Sequence, residues 1–415
     1  MCYNKLMDND KRFVTGLDVG TENVRAVIAT VSKDGNIAVV GYNEGKSAGM
    51  RKGIPANLTG PAEAIDRMLG DAERMGGYDV RSAYVSINGS TVISTHTEGM
   101  IAVGAADHEI SLEDLDRVED VAVTGRIPAN RDVLDVVPLE YALDGQGGIK
   151  DPLGMAGARL EMRACVISAL TPNCENLKRA TMTADVEAKR LVPSVVAAAK
   201  AVLTERQKEN GVAVVDLGAT TTSIAVYEEG DLQYIGVVPA GSNNVTNDLA
   251  IVLAIEPEMA EEIKTRFVTG DFKSEKSLAI KVGKNNERAF DRKEVEEVVK
   301  ARLDEIFGEV RKKLKAAKYD QRLPEGIVLV GGGAKMRDID VFAKNALEAA
   351  VKIGIPEGLD GVSDAVKKPE FATAVGLAML AAEESSLNSP SAKKPAKKTK
   401  NNSKVSFIKK IFSKF

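Results

Sequence analysis

The residues best placed for chemistry lie in GVAVVDLGATTTSIAVY, Gly211–Tyr227. Val212–Val215 is apolar and β-branched, as a strand covered on both faces would be. Asp216 ends it, Gly218 permits a sharp turn, Ala219, Thr220 and Thr221 supply small side chains and hydroxyls, and Ser223–Tyr227 returns as a strand. Such a turn aims several backbone N–H groups into one concave space, which suits phosphate oxygens. An aspartate at its mouth suits hydrated Mg2+, which keeps several waters and takes one or two carboxylates. Asp-x-Gly between strands is common, so one copy says little. The chain has a second. VTGLDVGTENVRAVI, Val14–Ile28, repeats the order, with Asp18 aligned on Asp216, Gly20 on Gly218, and Thr21, Glu22 and Asn23 completing the turn. One such hairpin in each half implies a duplicated α/β fold with a nucleotide between two lobes.

The elements that must position these turns fit a chain of 415 residues, long enough for two or more domains. Apolar content of 44% and charged content of 28% are ordinary, while aromatics are scarce at 4% and tryptophan is absent. No run is long and apolar enough to span a bilayer, and the polar start MCYNKLMDNDKR lacks a signal-peptide core. Cys2, Cys165 and Cys174 have neither metal-ligand spacing nor the count of a disulfide framework. The chain therefore reads as cytoplasmic. His96 and His108, its only histidines, sit in no recognisable constellation, which argues against histidine-based catalysis.

Along the chain, Ile37–Tyr42 reads as a third strand and SAGMRKG, Ser47–Gly53, as a glycine-containing loop. Gly60–Met75 has helical apolar spacing, and Ala83–Ile87 returns as a strand. The stretch from Asn88 to about Val166 reads as a small α+β insertion: strands at Val92–Ser94 and Met100–Val103, a helix at Leu112–Thr124, a strand at Asp132–Leu143, a long loop Gly147–Arg159 and a strand Leu160–Ser168. Ser194–Gln207 reads as one helix capped by Ser194, leading into the second hairpin. Further on come a helix Asn243–Ala254 and EMAEEIKTR, Glu258–Arg266, with Glu261 and Lys264 one turn apart. A charged helix Arg292–Lys315 has Arg302 and Glu305 on its solvent side. GIVLVGGGAK, Gly326–Lys335, reads as strand and triple glycine, followed by helices Arg337–Ala350 and Phe371–Ala381. Glycine lets a backbone approach a ligand where a Cβ would clash.

The two hairpins followed by this glycine motif resemble the actin-like ATPases. VPLEYALDGQGGIKDPLGMAGARL, Val137–Leu160, is similar in particular to the bacterial FtsA family of cell-division proteins, with Pro138, Glu140, Tyr141, Asp144, Gly148, Ile149, Pro152, Gly154, Gly157 and Arg159 on its pattern. Ser47–Gly53 fits the same family's S-x-G-M-x-x-G stretch. The resemblance implies an actin-like, two-lobed, duplicated α/β fold with an inserted small α+β subdomain and a C-terminal amphipathic helix. Residues 12–87, 167–196 and 363–384 would form subdomain IA, 88–166 the inserted subdomain IC, 197–242 and 301–362 subdomain IIA, and 243–300 subdomain IIB. ATP with Mg2+ would lie between Gly20–Asn23 and Gly218–Thr221, with Asp18 and Asp216 holding the metal through water. Glu261 and Lys264 would hold the ribose, and Gly331, Gly332, Gly333 and Lys335 the adenine. Arg302 and Glu305 would receive the C-terminal peptide of FtsZ, and the insertion other division proteins. Relatives that hydrolyse ATP briskly place Gln or Glu on the helix before the second hairpin. Val195–Leu203 offers only apolar residues and Lys200, which implies slow turnover or none. The turn Gly218-Ala219-Thr220-Thr221 also departs from the commoner triple glycine.

Charge divides the chain. After Glu384 there are nine lysines and no acid, and the preceding body carries 47 basic against 60 acidic residues. Residues 385–403 are rich in Ser, Pro, Lys and Asn and read as a flexible linker. KVSFIKKIFSKF, Lys404–Phe415, follows, with Val405, Ile408, Ile411, Phe412 and Phe415 on one helical face and Lys409, Lys410 and Lys414 on the other. Val405, Phe407, Ile408, Ile411, Phe412 and Phe415 are its candidate membrane contacts. A twelve-residue helix is marginal alone in water, and a basic, Phe-rich one suits an anionic bilayer surface. FtsA proteins end in the same way. The chain would then be a peripheral protein on the inner face of the cell membrane at the division site, polymerising with itself and tethering FtsZ, with no nucleic-acid partner. The competing readings are a PilM-like pilus-assembly protein of the same fold, which lacks such a terminal helix, and a sugar kinase or DnaK-type chaperone, whose extra catalytic or substrate-binding parts are not visible.

Overall fold

A computed structural model describes residues 12–104, 108–269, 277–282, 286–319 and 322–387. The candidate membrane contacts Val405, Phe407, Ile408, Ile411, Phe412 and Phe415, and most of the linker, lie outside the described residues.

The chain opens on the meander β1 (Arg12–Val19), β2 (Asn23–Val31) and β3 (Ile37–Lys46). A small hairpin, β4 (Met50–Arg51) and β5 (Ile54–Pro55), leads to helix α1 (Thr59–Gly76) and strand β6 (Ser82–Ile87). The insertion comprises β7 (Ile93–Ala102), α2 (Leu112–Val123), β8 (Arg131–Leu143), β9 (Gln146–Ile149) and β10 (Arg159–Leu170). Helix α3 (Thr171–Thr183), β11 (Glu187–Pro193), α4 (Ser194–Val202) and α5 (Glu205–Asn210) return the chain to the body. The second meander is β12 (Val212–Leu217), β13 (Thr222–Glu228) and β14 (Asp231–Val238). It is followed by α6 (Ser242–Val252), α7 (Pro257–Thr269), the hairpin β15 (Ser277–Val282) and β16 (Asn286–Asp291), and the long α8 (Arg292–Ala316). β17 (Ile327–Val330), a 3-10 turn at Gly332–Lys335, α9 (Ile339–Leu347), β18 (Val351–Ile353), β19 (Asp360–Gly361) and α10 (Ala372–Leu387) complete it.

The duplication is explicit in the sheets. One has the order β11-β6-β1-β2-β3-β19 and the other β14-β13-β12-β17-β18. In each, an antiparallel three-stranded meander is extended by two parallel strands on the side of its first strand. The central strands are apolar on both faces because helices cover both, which is why Val212–Val215 and Leu217 are buried. Helices α4 and α10 pack so closely that a Cβ on Gly376 would sit 1.7 Å from the Ala197 carbonyl oxygen. The insertion has its own sheet, β7-β10-β8-β9, and a core built on Leu115, Val118, Leu160 and Met162 beneath α2. Ser111 and Asp114 start α2 with a reciprocal capping box.

Although it interrupts the first lobe, the insertion also grips the second. Lys150 Nζ lies 2.8 Å from Asp231 Oδ2 and 3.3 Å from Glu229 Oε2 on the β13–β14 turn. Ile235 N donates to Ser94 Oγ at 2.8 Å, and His96 Nε2 is 2.8 Å from the Gln233 carbonyl.

Several local expectations need correction. The strands expected at Val92–Ser94 and Met100–Val103 are the two ends of the single strand β7, Ile93–Ala102, whose mixed exposure at the sheet surface hides its continuity. The glycine-rich Gly147–Arg159 begins inside a strand, β9, which the glycines disguise. Ser194–Gln207 is two helices. Leu203 and Thr204 are extended, and Thr204 with Gln207 forms a new capping box, while Ser194 is the first residue of α4 after Pro193 and makes no cap hydrogen bond. The helix expected at Arg337–Ala350 spans only Ile339–Leu347. α10 runs to Leu387, so Ser385–Leu387, assigned to the linker, are helical. Residues 300 and 301, placed in different subdomains, lie inside the unbroken α8.

Candidate functional site

The two turns close alike. Asp18 pairs with Arg25 across β1–β2 and Asp216 with Ser223 across β12–β13, each two residues outside its turn. Gly20 N donates to Asn23 O at 3.0 Å, and Gly218 N to Thr221 O at 3.0 Å. A Cβ on Gly20 would lie 2.7 Å from Asn23 O, and one on Gly218 2.9 Å from Thr221 O, so both turns need glycine for close approach. They meet across the cleft, where Thr220 Oγ1 donates to Thr21 Oγ1 at 3.0 Å. Thr21 Oγ1 also accepts from Gly53 N at 2.9 Å.

One cavity between the lobes is lined by Asp18, Gly20, Thr21, Glu22, Asn23, Asp216, Gly218, Ala219, Thr220, Thr221, Glu261, Lys264, Gly331, Gly332 and Lys335. The sequence motifs thus converge, with one exception. Gly333 packs on the body, where its Cβ would lie 2.4 Å from Leu217 Cγ; it serves the turn's seating rather than the cavity wall. Gly331 has φ 88° and a Cβ there would meet Asp216 Oδ1 at 2.3 Å, whereas Gly332 faces open space.

Asp18 accepts from Ser86 Oγ at 2.8 Å and lies 3.8 Å from the Arg25 guanidinium. Burial nevertheless raises its pKa, with Arg25 opposing. Asp216 is pushed up to about 6, first by burial and then by the Asp18 charge. Two buried carboxylates, one of which raises the other's proton affinity, are a natural seat for a divalent cation, and the residues fit hydrated Mg2+, which would supply positive charge beside phosphate. Burial alone would raise Glu22, but hydrogen bonds from Lys46 and Asn243 outweigh it and hold it below the usual range. Glu261 accepts from Lys264 Nζ at 2.6 Å and from Thr246 Oγ1 at 2.5 Å, so the pair is braced on α6.

Sequence reasoning missed Arg25, Glu44, Ser86, Ser194, Asn243, Glu370 and Thr373, which also touch the site. Arg25 Nη2 donates to Glu44 Oε1 at 2.5 Å, making a charge row Asp18–Arg25–Glu44 across three adjacent strands. The only signal for Arg25 was a cation two residues beyond the first turn. Ser242 N and Asn243 N, at the start of α6, donate to Gly218 O and Ala219 O and so brace the second turn from behind.

Residues 89–168 match the domain family described as the SHS2 domain inserted in FtsA, and residues 213–376 match cell division protein FtsA. Over 372 residues the chain is 35% identical to the cell division protein FtsA of Pseudomonas aeruginosa, covering 89% of each. The chain belongs to the FtsA family. It is 31% identical over 381 residues to the FtsA of Escherichia coli K12, covering 89% of this chain and 90% of that one. Among solved structures, a PilM–PilN type IV pilus biogenesis complex aligns with a TM-score of 0.66 at 17% identity, over 89% of this chain and 98% of that one. An MreB of Spiroplasma citri bound to ADP aligns with a TM-score of 0.51 at 14% identity, over 88% and 94%. These two likenesses establish the actin-like fold, as expected from the paired hairpins.

As an FtsA-family member the chain is a cell-division protein, and among the described residues no helix is long and apolar enough to cross a membrane. Glu305 is exposed on the solvent side of α8, as expected, and Arg302 is partly exposed there but is also tied down. Its guanidinium donates to Asp248 at 2.5 and 2.9 Å and to Glu305 at 2.6 Å. Arg302→Ala should therefore cost about 1–2 kcal/mol, because it strands Asp248, whereas Glu305→Ala, with a side chain 60% exposed, should stay within about 0.5 kcal/mol. Urea unfolding of both variants checks this; equal losses would refute the assignment.

Proposed function

We propose that the chain binds ATP with Mg2+ between its lobes and polymerises on the inner face of the cell membrane, where it anchors FtsZ filaments and recruits later division proteins. The observation that carries the tether reading is the joining of an FtsA-family body to a lysine-rich segment ending in KVSFIKKIFSKF. Each lysine near an anionic surface adds roughly 1 kcal/mol of attraction, and the apolar residues between them add burial at the headgroup boundary. The cleft supports the nucleotide part. It pairs two glycine turns, offers Asp18 and Asp216 to metal-bound water, and has Lys335 and the buried Lys264 among its lining residues. In this reading the turns orient the phosphates, and Glu261 with Lys264 holds the ribose. Arg302 and Glu305 remain the proposed FtsZ contact, Arg302 acting while it is held by Asp248. The pilus-assembly likeness is one of fold alone.

Flotation of residues 1–415 and 1–403 on anionic vesicles, with ATP and Mg2+, tests the reading. Only the full-length chain should float. If both chains stay in solution, or both float alike, the terminal segment is not the anchor.

A further inference from the structure

The first glycine turn carries an acid, Glu22, whose carboxylate is engaged through both oxygens. Oε1 lies 2.5 Å from Lys46 Nζ on β3, within the same lobe. Oε2 accepts from Asn243 Nδ2 at 2.9 Å, and Asn243 belongs to the second lobe, 221 residues further along the chain. The backbone fixes both ends of that bond. Ser47 N donates to Glu22 O at 2.9 Å, and Asn243 N donates to Ala219 O at 2.7 Å. The start of α6 does not consume the Asn243 side chain, because its neighbour Asn244 caps the helix, Oδ1 accepting from Gly241 N at 2.9 Å. Burial opposes the charge on Glu22, but hydrogen bonds from Lys46 and Asn243, with the charges of Lys46 and Lys264, keep it ionised. A hydrogen bond to an ionised acceptor is the stronger kind.

We propose that Glu22 and Asn243 form a latch across the cleft, which holds the two lobes together before any ligand enters. A carboxylate aimed at a phosphate would repel it, whereas one paired with Lys46 and Asn243 has its charge compensated within the protein. The Glu22 side chain therefore acts between the lobes, and its backbone shapes the turn. The Thr220–Thr21 bond, one residue away, joins neutral hydroxyls and is a weaker second point of attachment. A ligand shifts a conformational equilibrium only by its differential affinity for the two forms. Where the latch already favours the closed form, filling the cleft has less closure left to drive. This holds whichever ligand the cleft takes.

The test is a distance measurement on the full chain without nucleotide, by pulsed electron–electron resonance between two spin labels. Glu63→Cys on α1 and Glu258→Cys on α7 place one label on each lobe at exposed positions. Cys2→Ser removes a competing thiol, and Cys165 and Cys174 are buried. The labelled protein should give one dominant distance. Asn243→Ala and Glu22→Ala should each raise the ratio of shifted to closed population roughly three- to tenfold, as expected for a partly exposed hydrogen bond to a charge. Glu22→Gln, which keeps an acceptor oxygen without the charge, should fall between wild type and Glu22→Ala. The double variant Glu22→Ala/Asn243→Ala should do no more than either single one, since all three remove the same bond. Unchanged distances in both single variants, or effects that add in the double variant, overturn the proposal. No nucleotide is present, so that failure leaves the nucleotide reading standing, and failure of the nucleotide reading leaves the latch standing.

Discussion

Gly376→Ala is expected to destabilise the protein by about 3 kcal/mol or more, as overpacking of a rigid contact does. The new methyl carbon would fall 1.7 Å from the Ala197 carbonyl oxygen, and that oxygen belongs to helix α4, which cannot bend away without moving Ser194. Ser194 hydrogen-bonds Asp216, and Thr373 Oγ1 donates to Ser194 O at 3.4 Å, so the damage reaches the floor of the cleft. Gly308→Ala is the matched control. Gly308 lies inside α8 with nothing within 4 Å of the added carbon. There alanine should stabilise by about 0.5–1 kcal/mol through helix propensity. Thermal melts of the pair must move in opposite directions; a shared sign would mean that the close approach of α4 and α10 does not govern stability.

Asp216→Asn should raise the melting temperature of the nucleotide-free protein near pH 7.5 and abolish its further rise with ATP and Mg2+. The folded-state pKa of Asp216 is raised from 3.8 to about 6, so the folded protein binds a proton that the unfolded chain lacks within that window. Stability therefore increases as pH falls from 7 through 6 and levels off below 3.8, and above 6 the ionised carboxylate is a net burden. That burden is about 1–3 kcal/mol. Asparagine removes it at all pH values and with it the charge that would face metal-bound water. The substitution should thus also flatten the pH dependence of the melting temperature between pH 5 and 7. An unchanged pH profile would show that Asp216 is not the titrating group, and a retained ligand-induced shift that its charge is not needed for binding.

Much of this was legible in the sequence because the strongest signals are local. A β-branched run, an aspartate and a glycine at fixed offsets are enough to specify a hairpin, and both hairpins formed as read. What escaped reading depends on topology. Arg25 faces Asp18 and Glu44 only because β2 lies between β1 and β3 in one register. Glu370 reaches the cleft only because α10 folds back against α4 and β1. The tie on Arg302 was not legible because its counter-ion, Asp248, sits on α6, 54 residues away in sequence. Gly333 looked like its two neighbours, but a 3-10 turn rotates successive residues by about 120°, which points Gly332 to open space and Gly333 at Leu217. The break in Ser194–Gln207 was in the letters all along, since Thr204-x-x-Gln207 is a helix start placed where a helix was already assumed.

The insertion leaves the first lobe and returns to it, yet Lys150, Ser94 and His96 fasten it to the β13–β14 hairpin of the second. It therefore spans the same joint that the cleft between the lobes spans, from another side. Any swing that parts Thr21 from Thr220 must shear or stretch that fastening. A protein that gripped the insertion and a ligand that changed the separation of the lobes would therefore be coupled through these contacts. Thermodynamic reciprocity requires that whatever factor the first applies to the affinity of the second is returned in equal measure.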